Sequence, residues 1–299
     1  MGGIAFLFSG QGDQFPGMGK ELYDRYPAAA EVFDLCEELR PGTLRQCFWG
    51  SEEELKETMN TQPCLFAYEL AAAAVLRERG VSPGALAGFS LGEVAAAAFS
   101  GLVDLTTGFT LVCRRGLLMQ REAERFDTSM AAVLKLGPEP VRELCAAHGG
   151  VYAVNFNCPG QVSVSGLTGQ MPSFFADVKK AGGRVVPLKV RGAFHSPFMK
   201  NAAEDFAEIL ARTDFRTPGI PLYSDMTAGL YGSDPARLLS GQICSPVLWE
   251  QTVRNMRAAG LDTFIEIGPG RTLTNMMKKI DPEAAAYTVT EYLEEVLPC

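Results

Sequence analysis

Five residues, Gly88-Phe89-Ser90-Leu91-Gly92, constrain this chain more than any other stretch. The apolar run Ala85-Leu86-Ala87 precedes them, and Glu93-Val94-Ala95-Ala96-Ala97-Ala98-Phe99, a good helix former, follows. The pattern is that of a nucleophile elbow, where a serine tops a sharp turn from strand to helix. Such a turn packs backbone on backbone, so Gly88 and Gly92 stand where a Cβ would collide. The helix start would aim free N–H groups and a partial positive charge beside Ser90, where a developing oxyanion is stabilised. A small-residue turn without chemistry fits the same five residues, and the rest of the chain has to decide.

The 299 residues suit one large α/β domain, or one domain carrying an insertion. Lys and Arg number 27 against 35 Asp and Glu, a net charge of −8, which argues against nucleic acid or an anionic membrane as the partner. No apolar run reaches the roughly 18–20 residues of a membrane span. The start, Gly3 to Phe8, reads as a buried first strand and not as a leader. The eight cysteines form no C-x-x-C pair, so neither a metal site nor a disulfide framework is indicated, and a cytoplasmic location is expected.

Taken in order, the loop Ser9-Gly10-Gln11-Gly12-Asp13-Gln14 fails the spacing of a phosphate-binding loop, which leaves Gln11 and Gln14 as amide groups at the mouth of a site. Helices are expected over 17–26, 28–40 and 52–59, then from Pro63 to Arg79, and over 105–124. Residues 127–190 change character and read β-α-β-β-α-β, the ferredoxin-like order. The expected division is therefore a large core from 1–126 and 191–299, with a small inserted subdomain at 127–190 and the site in the cleft between them.

A serine nucleophile needs a base, and the chain has two histidines. His148 precedes Gly149-Gly150 at an expected helix end, where contact with the last carbonyls explains it. His195 lies in a loop where the chain re-enters the large core, and is the favoured base. No carboxylate stands out to orient it, and a backbone carbonyl would serve. Arg115 and Met119 share a helix face flanked by Leu111 and Leu118, and an arginine on a buried face calls for an anion.

These residues occur among others in a recognisable series: Gly10-Gln11-Gly12-Asp13-Gln14, Thr61-Gln62-Pro63, the elbow with Glu93, Arg115-Gly116 with Met119-Gln120, Asn155-Phe156-Asn157-Cys158-Pro159-Gly160-Gln161, Phe194-His195-Ser196-Pro197, Pro246-Val247-Leu248-Trp249 and Glu266-Ile267-Gly268-Pro269-Gly270. Over nearly its whole length the chain resembles malonyl-CoA:acyl carrier protein transacylases and the acyltransferase domains of polyketide and fatty acid synthases. The resemblance implies an α/β-hydrolase-like core with a parallel sheet plus an inserted ferredoxin-like subdomain. It implies Ser90 as nucleophile, His195 as base, and an oxyanion hole from the backbone N–H groups of Gln11 and Leu91. Arg115 would grip the malonyl carboxylate, with Phe89, Asn157 and Phe194 also lining the substrate site, and the backbone carbonyl of Leu248 would hold the histidine. An acetyl group would leave Arg115 unpaired, at a cost of ~3–5 kcal/mol.

The same resemblance implies no cofactor, a coenzyme A thioester and acyl carrier protein as partners, a monomer, and most often fatty acid synthesis. Phe89 departs from the family, which usually has His before the nucleophile. Phe194 matches malonyl-selective domains, although crowding out one methyl is worth only ~1–3 kcal/mol. Lys179, Lys180, Arg184, Lys189 and Arg191 form a candidate docking patch for the acidic carrier. The alternatives are a trans-acting polyketide acyltransferase, a hydrolase of acyl carrier thioesters with the same Ser90 and His195, and a non-catalytic binding module. Arg115 discriminates, because a general acyl hydrolase has no need of a carboxylate clamp.

Overall fold

The computed structural model describes residues 3–297. Its first sheet has five strands, all parallel: β1 (Gly3–Phe8), β2 (Ala85–Gly88), β7 (Leu222–Tyr223), β8 (Leu261–Ile267) and β9 (Ala285–Thr288), in the order β7-β2-β1-β8-β9. β1 is central because nearly every one of its residues is apolar, and a strand covered on both faces needs no polar alternation. Phe6 and Phe8 point into one core layer, with the helices Thr58–Glu78 and Leu105–Arg125. Ala5 and Leu7 point into the other, with Trp249, Phe264 and Met277.

The helix Thr58–Glu78 begins five residues before the expected start, and Pro63 lies inside it. The lost N–H costs one intrahelical bond. That loss is offset by burial on all sides, since every residue from Thr61 to Leu76 is buried. The neighbouring helix can approach closely because Gly116 has no side chain: a Cβ there would lie 3.0 Å from the Thr58 carbonyl oxygen. A short helix at Thr43–Trp49 carried no periodic signal, as its seven residues mix aromatic, polar and β-branched types.

The second sheet is antiparallel: β3 (Thr128–Leu134), β4 (Val151–Cys158), β5 (Gln161–Leu167) and β6 (Arg184–Arg191), in the order β4-β5-β3-β6. With the helices Pro138–Ala147 and Met171–Lys180 this is the ferredoxin-like arrangement. Alternation along β3 gives the sheet two faces. Ala131 and Val133 pack with Val141, Phe174 and Val178, while Met130 and Ala132 face the cleft toward the parallel sheet. The two units are stitched by backbone: the Phe156 N–H donates to the Val247 carbonyl at 2.8 Å, and the Val247 N–H to the Val154 carbonyl at 2.9 Å.

The elbow joins β2 to the helix Gly92–Phe99. A Cβ on Gly88 would lie 2.0 Å from the Glu93 nitrogen, and one on Gly92 would lie 2.3 Å from the Ser9 carbonyl oxygen. Both obstacles are backbone, which cannot rotate away. Gly92→Ala should lower the urea midpoint by the equivalent of at least about 3 kcal/mol, the upper range for overpacking, with an unchanged slope. An alanine variant as stable as the parent would remove the steric account of the elbow.

Candidate active site

Ser90 sits at φ 56° and His195 at φ 61°, the left-handed region that side chains rarely occupy. Each turn aims its side chain into one cavity of about 270 Å³ between the two sheets. There the Ser90 Oγ lies 2.8 Å from His195 Nε2, and His195 Nδ1 lies 2.8 Å from the Gln242 carbonyl oxygen. A carbonyl only accepts, so Nδ1 carries the hydrogen and Nε2 presents its lone pair to the serine hydroxyl. This is the tautomer that a general base requires.

The carbonyl that holds His195 is therefore Gln242's, and the expectation for Leu248 is corrected. The Leu248 carbonyl accepts from the Thr252 N–H at 2.9 Å and the Thr252 hydroxyl at 3.0 Å, because it opens the helix Trp249–Ala258. Gln242 instead starts a single tight turn, Gln242–Cys244, and the His195 N–H donates to the Ile243 carbonyl of that turn at 3.2 Å.

Arg115 is 1% exposed, and its Nη2 donates to Ser90 Oγ at 3.0 Å. The guanidinium also donates to Gln62 Oε1 at 2.9 Å and to Gln242 Oε1. Among the described residues no carboxylate reaches it within ion-pair distance. The anion expected of a buried arginine is thus replaced in part by amide oxygens, with Asp225 and Glu93 acting on it from farther off. An acyl group without a carboxylate would not leave Arg115 bare, and its penalty falls below the full cost of a broken buried pair. Burial lowers the Arg115 pKa to about 10, which leaves it charged at neutral pH.

Burial first, and the Arg115 charge second, lower the His195 pKa to about 4. The imidazole is neutral and available as a base across the physiological range. Gln11 and Leu91 both line the cavity with Ser90, and among the described residues neither backbone N–H makes a hydrogen bond. The Gln11 side chain is occupied elsewhere, donating to Thr58 Oγ1 at 3.3 Å.

Phe194 and Phe89 line the cavity. The Phe89 ring meets Trp249 edge-on at 5.4 Å and lies against Gly10, whose Cβ would come within 2.7 Å of it. Phe89 thus supports the loop that carries Gln11. Asn157 lines the cavity as well, and Asn155, which the sequence did not single out, lies beside it; the Oδ1 atoms of both are buried and unpartnered. Gln62 and Gln242 were also missed. Gln62 stood in the quoted Thr61-Gln62-Pro63, which could have flagged it, but a role through a backbone carbonyl leaves no mark on residue type. His148 lies outside the site, with Nε2 at 3.1 Å from Asp177 Oδ2. In the docking patch Lys180 pairs with Asp177 at 2.8 Å. The side chains of Lys189 and Arg191 lie outside the described residues.

A family model described as the acyl transferase domain matches residues 5–291. The chain belongs to the acyl transferase domain family. A malonyl CoA-acyl carrier protein transacylase of Bacillus subtilis is 36% identical, over 97% of this chain and 94% of that protein. The crystal structure of such a transacylase from Clostridium perfringens superposes with a TM-score of 0.95 at 33% identity, covering 99% of this chain and 96% of that one. A malonyl-transacylase solved in complex with its type II polyketide acyl carrier protein gives a TM-score of 0.93 at 32% identity, over 98% of this chain and 99% of that one. In an acyl transferase the working base must be neutral, so the acid limb of log kcat/KM should bend near the free-enzyme His195 pKa of about 4. Arg115→Ala removes one of the two causes of that depression and should move the bend upward, toward the ordinary value near 6.5. A pH–rate profile with the same acid limb in both proteins would contradict this reading of Arg115 and His195.

Proposed function

We propose that the chain transfers a malonyl group from malonyl-CoA to the phosphopantetheine thiol of acyl carrier protein, for fatty acid synthesis, through a malonyl ester on Ser90. The observation that carries this reading is the buried Arg115 guanidinium 3.0 Å from the Ser90 Oγ. A malonyl group on that oxygen ends in a carboxylate within reach of a planar fork that binds carboxylates in pairs of hydrogen bonds.

Ser90 Oγ attacks the thioester carbonyl while its proton passes to His195 Nε2. The oxyanion is received by the N–H groups of Gln11 and Leu91. Collapse breaks the C–S bond, and the leaving coenzyme A sulfur takes the proton back from Nε2. The imidazolium formed in between is a strong acid in this buried site, which favours that return. In the second half the pantetheine thiol gives its proton to His195 and attacks the ester. Collapse then frees Ser90, which recovers the proton. Both halves use one site in turn, the ping-pong pattern.

The pantetheine arm carries amide N–H groups, and the unpartnered Oδ1 atoms of Asn155 and Asn157 are acceptors suited to them. Phe194 narrows the space beside the acyl group and disfavours an α-methyl branch. No step changes oxidation state or needs a metal, so no cofactor enters. The reading includes a monomer that meets its partners in the cytoplasm.

Incubation with radiolabelled malonyl-CoA should leave a stable ester on Ser90 that is discharged only when phosphopantetheinylated carrier protein is added. Rapid release of free malonate would make the protein a hydrolase, and absence of label would make it a binding module. Arg115→Ala should shift the ratio of malonyl to acetyl kcat/KM toward acetyl by about one decade, less than a fully broken buried pair because Gln62 and Gln242 already engage the guanidinium. Equal losses on both acyl groups would rule out the clamp.

A further inference from the structure

Behind the nucleophile lies a second cluster of titratable groups that the acyl-transfer steps do not use. The Ser90 N–H donates to Asp225 Oδ2 at 2.7 Å, and the Asp225 N–H donates to Glu93 Oε2 at 2.8 Å. The Tyr231 hydroxyl donates to Glu93 Oε1. Glu93 is 0% and Asp225 1% exposed, so two carboxyl groups share a dry space. The Asp225 Oδ1 is buried with no hydrogen-bond donor for an ionised carboxylate to accept from, while the Asp225 backbone N–H holds the residue against the Glu93 carboxylate. Two acceptors cannot bond to each other unless one of them carries a proton.

We propose that Asp225 is protonated in the folded protein, that its Oδ1–H donates to the Glu93 carboxylate, and that this neutral–anionic pair is the positioning device that holds the Ser90 backbone in its left-handed conformation. Asp225 then uses one oxygen to accept from the Ser90 N–H and the other to donate to Glu93. Glu93 accepts from Tyr231, from the Asp225 N–H and from the Asp225 carboxyl. The single negative charge left on Glu93 faces Arg115 from across the elbow and balances it before substrate arrives. The charged and titratable groups that bear on the pair are Arg115, from the helix Leu105–Arg125, and Tyr231, from the loop after β7; His195 faces it only through Ser90. Burial, and next the charge of Glu93, push the Asp225 carboxyl well above the usual carboxylate range, in keeping with the geometry.

A carboxyl held protonated by the fold makes stability fall as pH rises, because above the unfolded value of about 4 the unfolded chain releases a proton that the native state keeps. Asn at 225 presents an acceptor to Ser90 and an N–H donor to Glu93 without any proton to lose. Thermal melts of the parent and Asp225→Asn should therefore diverge, with the advantage of the Asn variant growing steadily from about pH 5 to pH 8. Glu93→Gln should flatten the parent's pH dependence in the same way, since an amide there can donate to an ionised Asp225. For acyl transfer, Asp225→Ala should lower kcat by about tenfold or more with KM for malonyl-CoA within about threefold, the signature of misplaced chemistry. Asp225→Asn should rescue most of that loss. A melting gap that does not change with pH would overturn the shared proton. An alanine variant with the parent's kcat, or an Asn variant as impaired as the alanine one, would overturn the positioning role. If Asp225→Ala does not fold, the pH series on Asp225→Asn and Glu93→Gln still decides. The kinetic arm rests on the acyl-transfer reading, whereas the melting arm does not, so failure of either idea is distinguishable.

Discussion

The contact on which the site depends is the approach of Gly92 to the end of β1, where the glycine stands against the Phe8 and Ser9 carbonyl groups with no room for a Cβ. That contact brings the elbow down onto the central strand. Two loops are thereby fixed side by side: the one after β1, which carries Gln11, and the one after β2, which carries Ser90. Ligands of parallel α/β sheets gather at the carboxyl ends of strands for the same reason, since that is where backbone N–H groups and helix starts converge. Phe89 completes the wedge, its ring filling the space that Gly10 leaves open.

Around that fixed point Gln242 links three of the reacting groups. Its backbone carbonyl orients His195, its side-chain oxygen takes a hydrogen bond from Arg115, and its side-chain nitrogen donates to the Ser90 carbonyl at 3.1 Å. One residue thus sets the tautomer of the base, helps keep a buried cation solvated, and steadies the nucleophile. The arrangement also explains why Arg115 tolerates its burial without an adjacent carboxylate. Amide oxygens supply the near contacts, and the Glu93–Asp225 pair supplies the more distant negative charge.

How far the sequence could be read depended on the kind of signal each residue leaves. Glycines under steric compulsion are visible, and Gly88 and Gly92 stand where the motif requires them. The β-α-β-β-α-β order, read over residues 127–190, was visible too, because hydrophobic period and turn residues alternate cleanly there. Pro63 misled, because a proline normally marks the first turn of a helix, and only complete burial lets this one sit deeper. Leu248 misled for a related reason: the role belongs to a peptide carbonyl, and a carbonyl is the same in every residue.

What the sequence determined by itself was the chemistry available: a serine on an elbow, a loop histidine, a buried arginine, and the succession of strands and helices. Those follow from residue types, spacing and period, which are local properties. The tertiary structure decided which carbonyl holds His195, that Arg115 rests on Gln62 and Gln242, and that Glu93 and Asp225 meet behind Ser90, although 132 positions separate them in the chain. These are contacts between residues distant in sequence, several through backbone atoms, and no local pattern records where a peptide group will lie once the chain has closed on itself.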